Sequence, residues 1–179
     1  MMKTTAQLTA ILLLMVTTFS CDDLDELTEF NVTDDFTTTI SVSASEDSEG
    51  QPQSITQSAT LDISSNQDIQ DNIDLIQDIT LNSLTYEITN YTGIEDATLT
   101  EGSLTFGTES ITLENINLEQ SDIDNTIYTI SDVSLLNAIA TDLESNTVVS
   151  ILVSGTVNAT PVVFDVIVTF DVTATIDVL

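Results

Sequence analysis

The segment "VVFDVIVTFDVTATIDVL", residues 162–179, alternates apolar and polar side chains along nearly its whole length. Every even position from Val162 to Val178 is apolar, whereas the odd positions carry mainly Asp and Thr. A period of two predicts a β-strand with one buried face and one face in water. Seventeen residues would extend about 56 Å at roughly 3.3 Å each. Since most strands are shorter, we expect this strand to bend, to contain a bulge or to serve two sheets in turn.

The same alternation recurs elsewhere in the chain. It predicts a long strand over residues 28–44 and a second strand over 53–63, separated by the turn-forming segment 45–52. Residues 147–157 form an apolar run that we interpret as the hairpin partner of the C-terminal strand, joined through Asn158–Pro161. Shorter strands are predicted at 79–89, 97–106, 110–118 and 126–130. Asp165, Asp171 and Asp177 interrupt the wet face of the last strand every six residues, as residues that limit aggregation do.

Two stretches instead show helical spacing. Residues 65–79 place Ile69, Ile73 and Ile76 at i, i+4 and i+7. In the second stretch, residues 131–146, Ser131 or Asp132 can serve as the N-cap of a helix. The sequence therefore predicts a mainly β fold, an antiparallel β-sandwich that is Ig-like or related, with two short α-helices. We expect one such domain over residues 28–179.

The charge composition excludes several function classes. The 179 residues include 30 Asp and Glu, no His and a single basic residue, Lys3, which gives a net charge of −29. Binding to nucleic acid or to anionic lipid headgroups needs cations, and none follow Lys3. Ser or Cys nucleophiles need a neighbouring base, and zinc sites need several Cys or His residues. Carboxylate chemistry and Ca²⁺ binding remain open.

A candidate Ca²⁺ site lies in "SDIDN", residues 121–125, which we expect to form a loop. Asp122, Asp124 and Asn125 supply oxygen ligands, but Ile127 and Val133 stand where an EF-hand loop requires Gly and Glu. The alternative is a solvated acidic loop. A glycosidase needs a pair of carboxylates, but among so many acids two can lie close together by chance, so their presence is no evidence for catalysis. We predict no enzymatic activity and no other cofactor.

The junction "TFSCDDLDE", residues 18–26, carries the information on where in the cell the protein is located. A short positive n-region and the apolar segment "AILLLMV", residues 10–16, precede Cys21, the only cysteine. The segment resembles the signal peptide of a bacterial lipoprotein, with "TFSC" in the place of the lipobox. The resemblance implies removal of residues 1–20 and acylation of Cys21, which would anchor the protein to a membrane. The alternative is an ordinary secreted protein with a free cysteine.

The acidic residues after Cys21 refine this expectation. Asp22, Asp23, Asp25 and Glu26 lie in a tether of residues 21–27, and such a run resembles the export signal of Bacteroidota-type surface lipoproteins. The resemblance implies the outer membrane and the cell surface, although Asp directly after the cysteine is associated in other bacteria with inner-membrane retention. We predict a non-enzymatic surface lipoprotein with a structural, adhesive or accessory binding role. The alternative is a sandwich that carries a small apolar ligand or lipid.

Overall fold

The computed structural model describes residues 28–45 and 51–178, and it confirms a mainly β fold of two antiparallel sheets. Within this part, nine strands follow one another along the chain: β1 Glu29–Ala44, β2 Gln53–Asp62, β3 Ile76–Gly93, β4 Thr98–Phe106, β5 Glu109–Leu113, β6 Ile116–Asn117, β7 Ile127–Ile130, β8 Val148–Val157 and β9 Val162–Asp177. The α-helices of the described residues are α1 Gln67–Asp71, α2 Leu118–Ile123 and α3 Val133–Asn146. Two 3₁₀ turns, Ile63–Ser65 and Ile73–Leu75, flank α1.

The strands divide into two sheets that face each other. The first sheet has the order β1-β9-β3-β7, and the second has the order β2-β8-β4-β5, with β6 paired to β4. The strand β9 lies inside the first sheet, between β1 and β3. The expectation that the alternating C-terminal segment forms a strand is confirmed, and this strand stays in one sheet.

The bulge that the length of β9 led us to expect is found in its neighbour β3 instead. The pairing of β1 with β9 runs without interruption from Glu29 opposite Asp177 to Ala44 opposite Val162. The register of β3 against β9 instead shifts three times, between Ile76 and Asp78, between Leu81 and Ser83, and between Thr89 and Thr92. Each shift places one extra residue in β3 opposite β9, which is the arrangement of a β-bulge.

The predicted hairpin between β8 and β9 is wrong. The strand β8 pairs with β2 and β4 in the second sheet, whereas β9 pairs with β1 and β3 in the first. Residues 158–161 therefore cross from one sheet to the other. The strong alternation of both segments is explained by a shared core between the sheets, since each strand turns its apolar face toward that core.

The helix prediction is correct for one segment and wrong in length for the other. Asp132 caps α3, and its carboxylate accepts the backbone N–H groups of Ser134 and Leu135. The other predicted helix, 65–79, contains only the five residues of α1 and a 3₁₀ turn before β3 begins at Ile76. Asp68, Asp71 and Asp74 lie three residues apart in this segment and would repel one another along one face of a helix. In the strand, Ile76 instead gains a cross-strand partner in Ile176.

The core lies between the sheets and is filled by the inward residues of β9 and its neighbours. Phe164 and Phe170 are fully buried, and the ring of Phe170 meets that of Phe106 on β4 edge-to-face, with 5.9 Å between centroids. Such a pair contributes roughly 0.5–1.5 kcal/mol beyond the burial of its area. This contact links β9 of the first sheet to the end of β4 in the second, and the opposite face of β9 is turned outward.

Candidate functional site

The outward side of the first sheet carries a dense array of polar side chains, here called the outer face. It comprises the odd-numbered residues of β1 and β9 and the polar side chains of β3 beside them. The acids Asp165, Asp171 and Asp177 lie along this face on β9, the strand between β1 and β3. The side chains on this face are exposed or half-buried, so they are open to contact by a partner.

Each of these acids accepts a hydrogen bond from an amide side chain of β3. Asn90 donates to Asp165 at 2.8 Å. Asn82 donates to Asp171 at 2.9 Å and also to the Thr173 hydroxyl at 2.9 Å. Gln77 donates to Asp177 at 3.3 Å. The three amides lie at the three register shifts of β3, so the bulges place the donors over the acids.

Strand β1 completes the arrangement from the other side. The Ser41 hydroxyl donates to Asp165 at 2.7 Å, and the Thr28 hydroxyl donates to Asp177 at 3.0 Å. Hydrogen bonds from Ser41 and then from Asn90 hold the pKa of Asp165 below its ordinary value, against a smaller opposing effect of burial. Asp165 is therefore ionised at neutral pH, and it accepts hydrogen bonds there instead of supplying a proton.

Hydroxyl pairs fill the space between the acids. Thr33 and Thr173 lie 2.8 Å apart through their Oγ1 atoms, and Thr37 and Thr169 lie 3.2 Å apart. Such cross-strand pairs stabilise a sheet and fix the positions of the side chains. The outer face thus presents a rigid surface of carboxylate and hydroxyl oxygens, which can exchange hydrogen bonds with a polar partner.

The structure places the three predicted Ca²⁺ ligands at the end of α2, where we expected a loop. The carboxylate of Asp122 turns toward the sheet and accepts the backbone N–H of Tyr91 at 3.0 Å. Asp124 is the C-terminal cap residue, and Asn125 adopts a left-handed conformation with φ of 50°. The side-chain amide of Asn125 donates to the carbonyl of Ile123.

The three predicted ligands therefore have separate structural roles, and the Asp122 carboxylate is hydrogen-bonded to the backbone of β3. Among residues 28–45 and 51–178, no group of three or more His, Cys, Asp or Glu side chains is placed to hold a metal ion. The Ca²⁺ site at Asp122, Asp124 and Asn125 stays a prediction. A similar contact occurs at the other end of the same edge, where the Glu144 carboxylate accepts the backbone N–H of Ile79 at 3.2 Å.

The residues predicted for anchoring and export lie outside the described residues. These are Cys21 and the acids Asp22, Asp23, Asp25 and Glu26. Across the described part of the chain, no helix has the length and hydropathy required to span a membrane.

Clefts open on the surface of the described part of the sandwich, and three of them are large enough to hold solvent or a small ligand. A cleft of about 470 Å³ is lined by residues 43–45 and 53–57, most of them polar. A cleft of about 340 Å³ lies between β1 and β2, where Asp34 accepts a hydrogen bond from Asn66. A third, of about 230 Å³, lies on the outer face beside Ile127 and Ile167. The first two clefts open along the edge where β1 of the first sheet lies beside β2 of the second, and most of their lining side chains are polar. The carrier alternative, which needs a mainly apolar pocket, stays a prediction.

The paired amides and acids were not anticipated from the sequence, although a signal was present. The buried positions of β3 are odd at Ile79 and Leu81 and even at Leu84, Tyr86 and Ile88. A change of parity inside one strand predicts a bulge between the two sets.

Comparisons with known proteins add no relative. No protein-family model matches this chain, and no curated protein matches it. Among solved structures, the chain is similar to one described as Desmodium yellow mottle tymovirus, with 12% sequence identity. The match covers 84% of this chain and 90% of the viral chain, with a TM-score of 0.38. A likeness at this level identifies neither a family nor a function.

Proposed function

We propose that this protein is a non-enzymatic lipoprotein of the bacterial outer membrane, anchored through Cys21 and exposed at the cell surface. It acts by contact, as a structural, adhesive or accessory binding protein. The observation that supports the anchor is the start of the fold. The first strand begins at Glu29, and Thr28, seven positions after Cys21, lies at one end of the sandwich, where its hydroxyl donates to Asp177.

This position suits a chain held by its N-terminus. A tether of seven residues reaches at most about 25 Å, so an acylated Cys21 would keep the domain close to the membrane by that end. Two or more acyl chains are needed for stable attachment, because each buried methylene contributes only about 0.8 kcal/mol. The acids that follow Cys21 would stay in water and serve as the export signal.

The character of the outer face supports an action by contact. Its carboxylates are hydrogen-bonded and face solvent, and in the described residues the buried polar side chains are Ser121 and Thr160, with no carboxylate among them. Catalytic carboxylates instead need burial or a like-charged neighbour to raise a pKa. The pKa of Asp165 on the outer face is lowered, which is the opposite of the shift that a general acid requires.

The anchor is tested by expressing the full chain in a bacterium that processes lipoproteins, beside a Cys21→Ser variant. We expect the mature N-terminal peptide to begin at Cys21 and to carry fatty acyl mass. We also expect the wild type to sediment with membranes and the variant to leave them. A peptide that begins at Cys21 without acyl mass would reject lipidation, as would a cytosolic chain that keeps residues 1–20.

Surface exposure is tested separately with a variant in which Asp22, Asp23 and Asp25 become Asn and Glu26 becomes Gln. We expect protease added to intact cells to digest the wild type and to spare this variant, although both are acylated. Equal digestion of the two would show that these acids are not the export signal. Protection of both would place the protein on an inner surface.

A further inference from the structure

The end of the sandwich next to the tether carries a group of exposed apolar side chains. Ten large apolar residues are exposed within the described part of the chain. Four of them lie at this end, namely Phe30, Ile73, Leu75 and Val178, with exposed fractions of 39%, 42%, 39% and 52%. We call these four residues the apolar rim.

The pairing of the strands brings the rim together around the end of β9. Phe30 on β1 lies opposite Ile176, and Ile76 on β3 lies opposite the same residue from the other side. The 3₁₀ turn with Ile73 and Leu75 directly precedes Ile76. Val178 follows β9, and its backbone N–H donates to the carbonyl of Thr28 at 3.2 Å.

The length of chain before Thr28 argues for what covers this rim. If Cys21 is acylated, the seven-residue tether holds Thr28 within about 25 Å of the bilayer. The strand β9 has 16 residues and extends roughly 53 Å at about 3.3 Å each. The rim is therefore always within reach of the bilayer, whereas the opposite end of the sandwich lies farthest from it when the domain stands on its tethered end.

The charges nearby select the type of lipid. Asp74 lies between Ile73 and Leu75 and is exposed, and no basic residue follows Lys3 in the sequence. Anionic headgroups attract basic segments and repel acidic ones, whereas zwitterionic headgroups allow exposed Phe, Ile and Leu to enter the interface.

We propose that the apolar rim inserts into the headgroup layer of a zwitterionic bilayer and makes the sandwich stand on its tethered end. This inference rests on the proposed lipidation of Cys21 and adds an orientation to it. The outer face then points sideways, along the membrane, and the end of the sandwich that carries Ile94 points away from it.

The test uses the acylated full-length mature protein in phosphatidylcholine vesicles, after mass spectrometry has verified the acyl group. Ile73→Cys and Ile94→Cys variants each carry an environment-sensitive fluorophore. They form a matched pair, because both isoleucines are 42% exposed and Ile94 lies at the far end, its N–H bonded to the carbonyl of Pro161. An Asp74→Cys variant replaces Ile73→Cys if the latter does not fold. The acylated chain without an added cysteine controls for labelling at Cys21.

We expect the fluorophore at position 73 to shift its emission to shorter wavelength and to lose quenching by aqueous iodide. The fluorophore at position 94 should stay fully quenched. Adding anionic lipid should reduce the shift at position 73. Equal quenching at the two positions in acylated protein would overturn the orientation and leave the lipoprotein proposal intact.

Three other outcomes would also overturn the inference. Protection of both positions would mean that the domain lies on its side. A shift at position 73 that fades when the protein is diluted in lipid would mean that a second copy covers the rim. Absence of acyl mass on Cys21 would remove the lipoprotein proposal and this inference together.

Discussion

The pairing of Asp35 with Asp171 makes a direct test of the charge on the outer face. The two residues lie opposite each other in the ladder of β1 and β9. Asp171 is also held in place by the amide of Asn82 at 2.9 Å. Two like charges directly opposite in an antiparallel pair destabilise the sheet, and no basic side chain follows Lys3 to offset them. Asp35→Asn should therefore stabilise the protein.

The size of the effect follows from Coulomb's law. Charges about 5.5 Å apart in water repel by about 0.75 kcal/mol. Screening with a Debye length of about 10 Å at 0.1 M salt leaves about 0.4 kcal/mol, and a length of about 3 Å at 1 M leaves about 0.1 kcal/mol. We therefore expect Asp35→Asn to raise the free energy of unfolding by about 0.4 kcal/mol at 0.1 M salt and by almost nothing at 1 M.

Unfolding in urea, a denaturant without charge, measures both values. Glu87→Gln is the matched control, because Glu87 lies opposite Ile167 on β9 and Ile127 on β7 and loses no acidic cross-strand neighbour. It reports the general effect of removing one charge from this sheet. If Asp35→Asn stabilises no more than Glu87→Gln, or if its effect is the same at both salt concentrations, the repulsion inferred from the register is not there.

Three further predictions concern the core and the edge of the first sheet. Burial, followed by the charges of Tyr128 and Glu114, raises the pKa of Tyr86 to about 12. The contribution of Tyr86 to stability should therefore be constant below about pH 9 and fall by roughly 2 kcal/mol between pH 10 and pH 12, where Tyr86 ionises more readily in the unfolded chain. Urea unfolding of Tyr86→Phe should show a much smaller drop in the free energy of unfolding between pH 8 and pH 11 than the wild type shows. An equal drop in both proteins would contradict the assignment of this loss to Tyr86. Asp122→Ala should lower the free energy of unfolding by about 1–2 kcal/mol because it leaves the Tyr91 N–H unpaired, while Asp122→Asn should keep most of the stability; equal losses would show that the hydrogen bond is not what matters. Phe170→Ala should cost about 3–5 kcal/mol by chemical denaturation, and a loss under 1 kcal/mol would mean that its site is not the packed centre described above.

The fold class was predictable because it depends on patterns within single segments. The alternation in β1 and β9 records which side chains face the core, and this information is local. The pairing of strands is not local. Strands β8 and β9 are consecutive in the sequence and were expected to form a hairpin. The strand β9 instead pairs with β1 and β3, which lie far earlier in the chain. Turn residues in Asn158–Pro161 indicate that the chain reverses, and they do not indicate which sheet it enters.

The site was less predictable than the fold for a related reason. Asp122 reads in the sequence as one of several acids in a polar segment, and only the packing of α2 against β3 gives it the Tyr91 N–H as partner. The amides Gln77, Asn82 and Asn90 likewise look like ordinary polar residues of a strand. Their relation to the acids of β9 depends on bulges, and a bulge is visible in the sequence only as a change in the parity of the buried residues.

The position of β9 changes the meaning of its acids. Residues that limit aggregation usually guard a sheet edge, but β9 is paired on both sides, so Asp165, Asp171 and Asp177 guard no edge in the folded protein. The pairing of β9 with β1 joins residues that are far apart in the sequence, and such pairings form slowly. Until it forms, the apolar side chains of β9 are exposed. The acids then interrupt a segment prone to aggregation. After folding, the amides of β3 hold the same carboxylates in a fixed array. We therefore expect these three residues to limit aggregation of the unfolded chain, and in the folded protein they contribute carboxylates to the exposed polar surface.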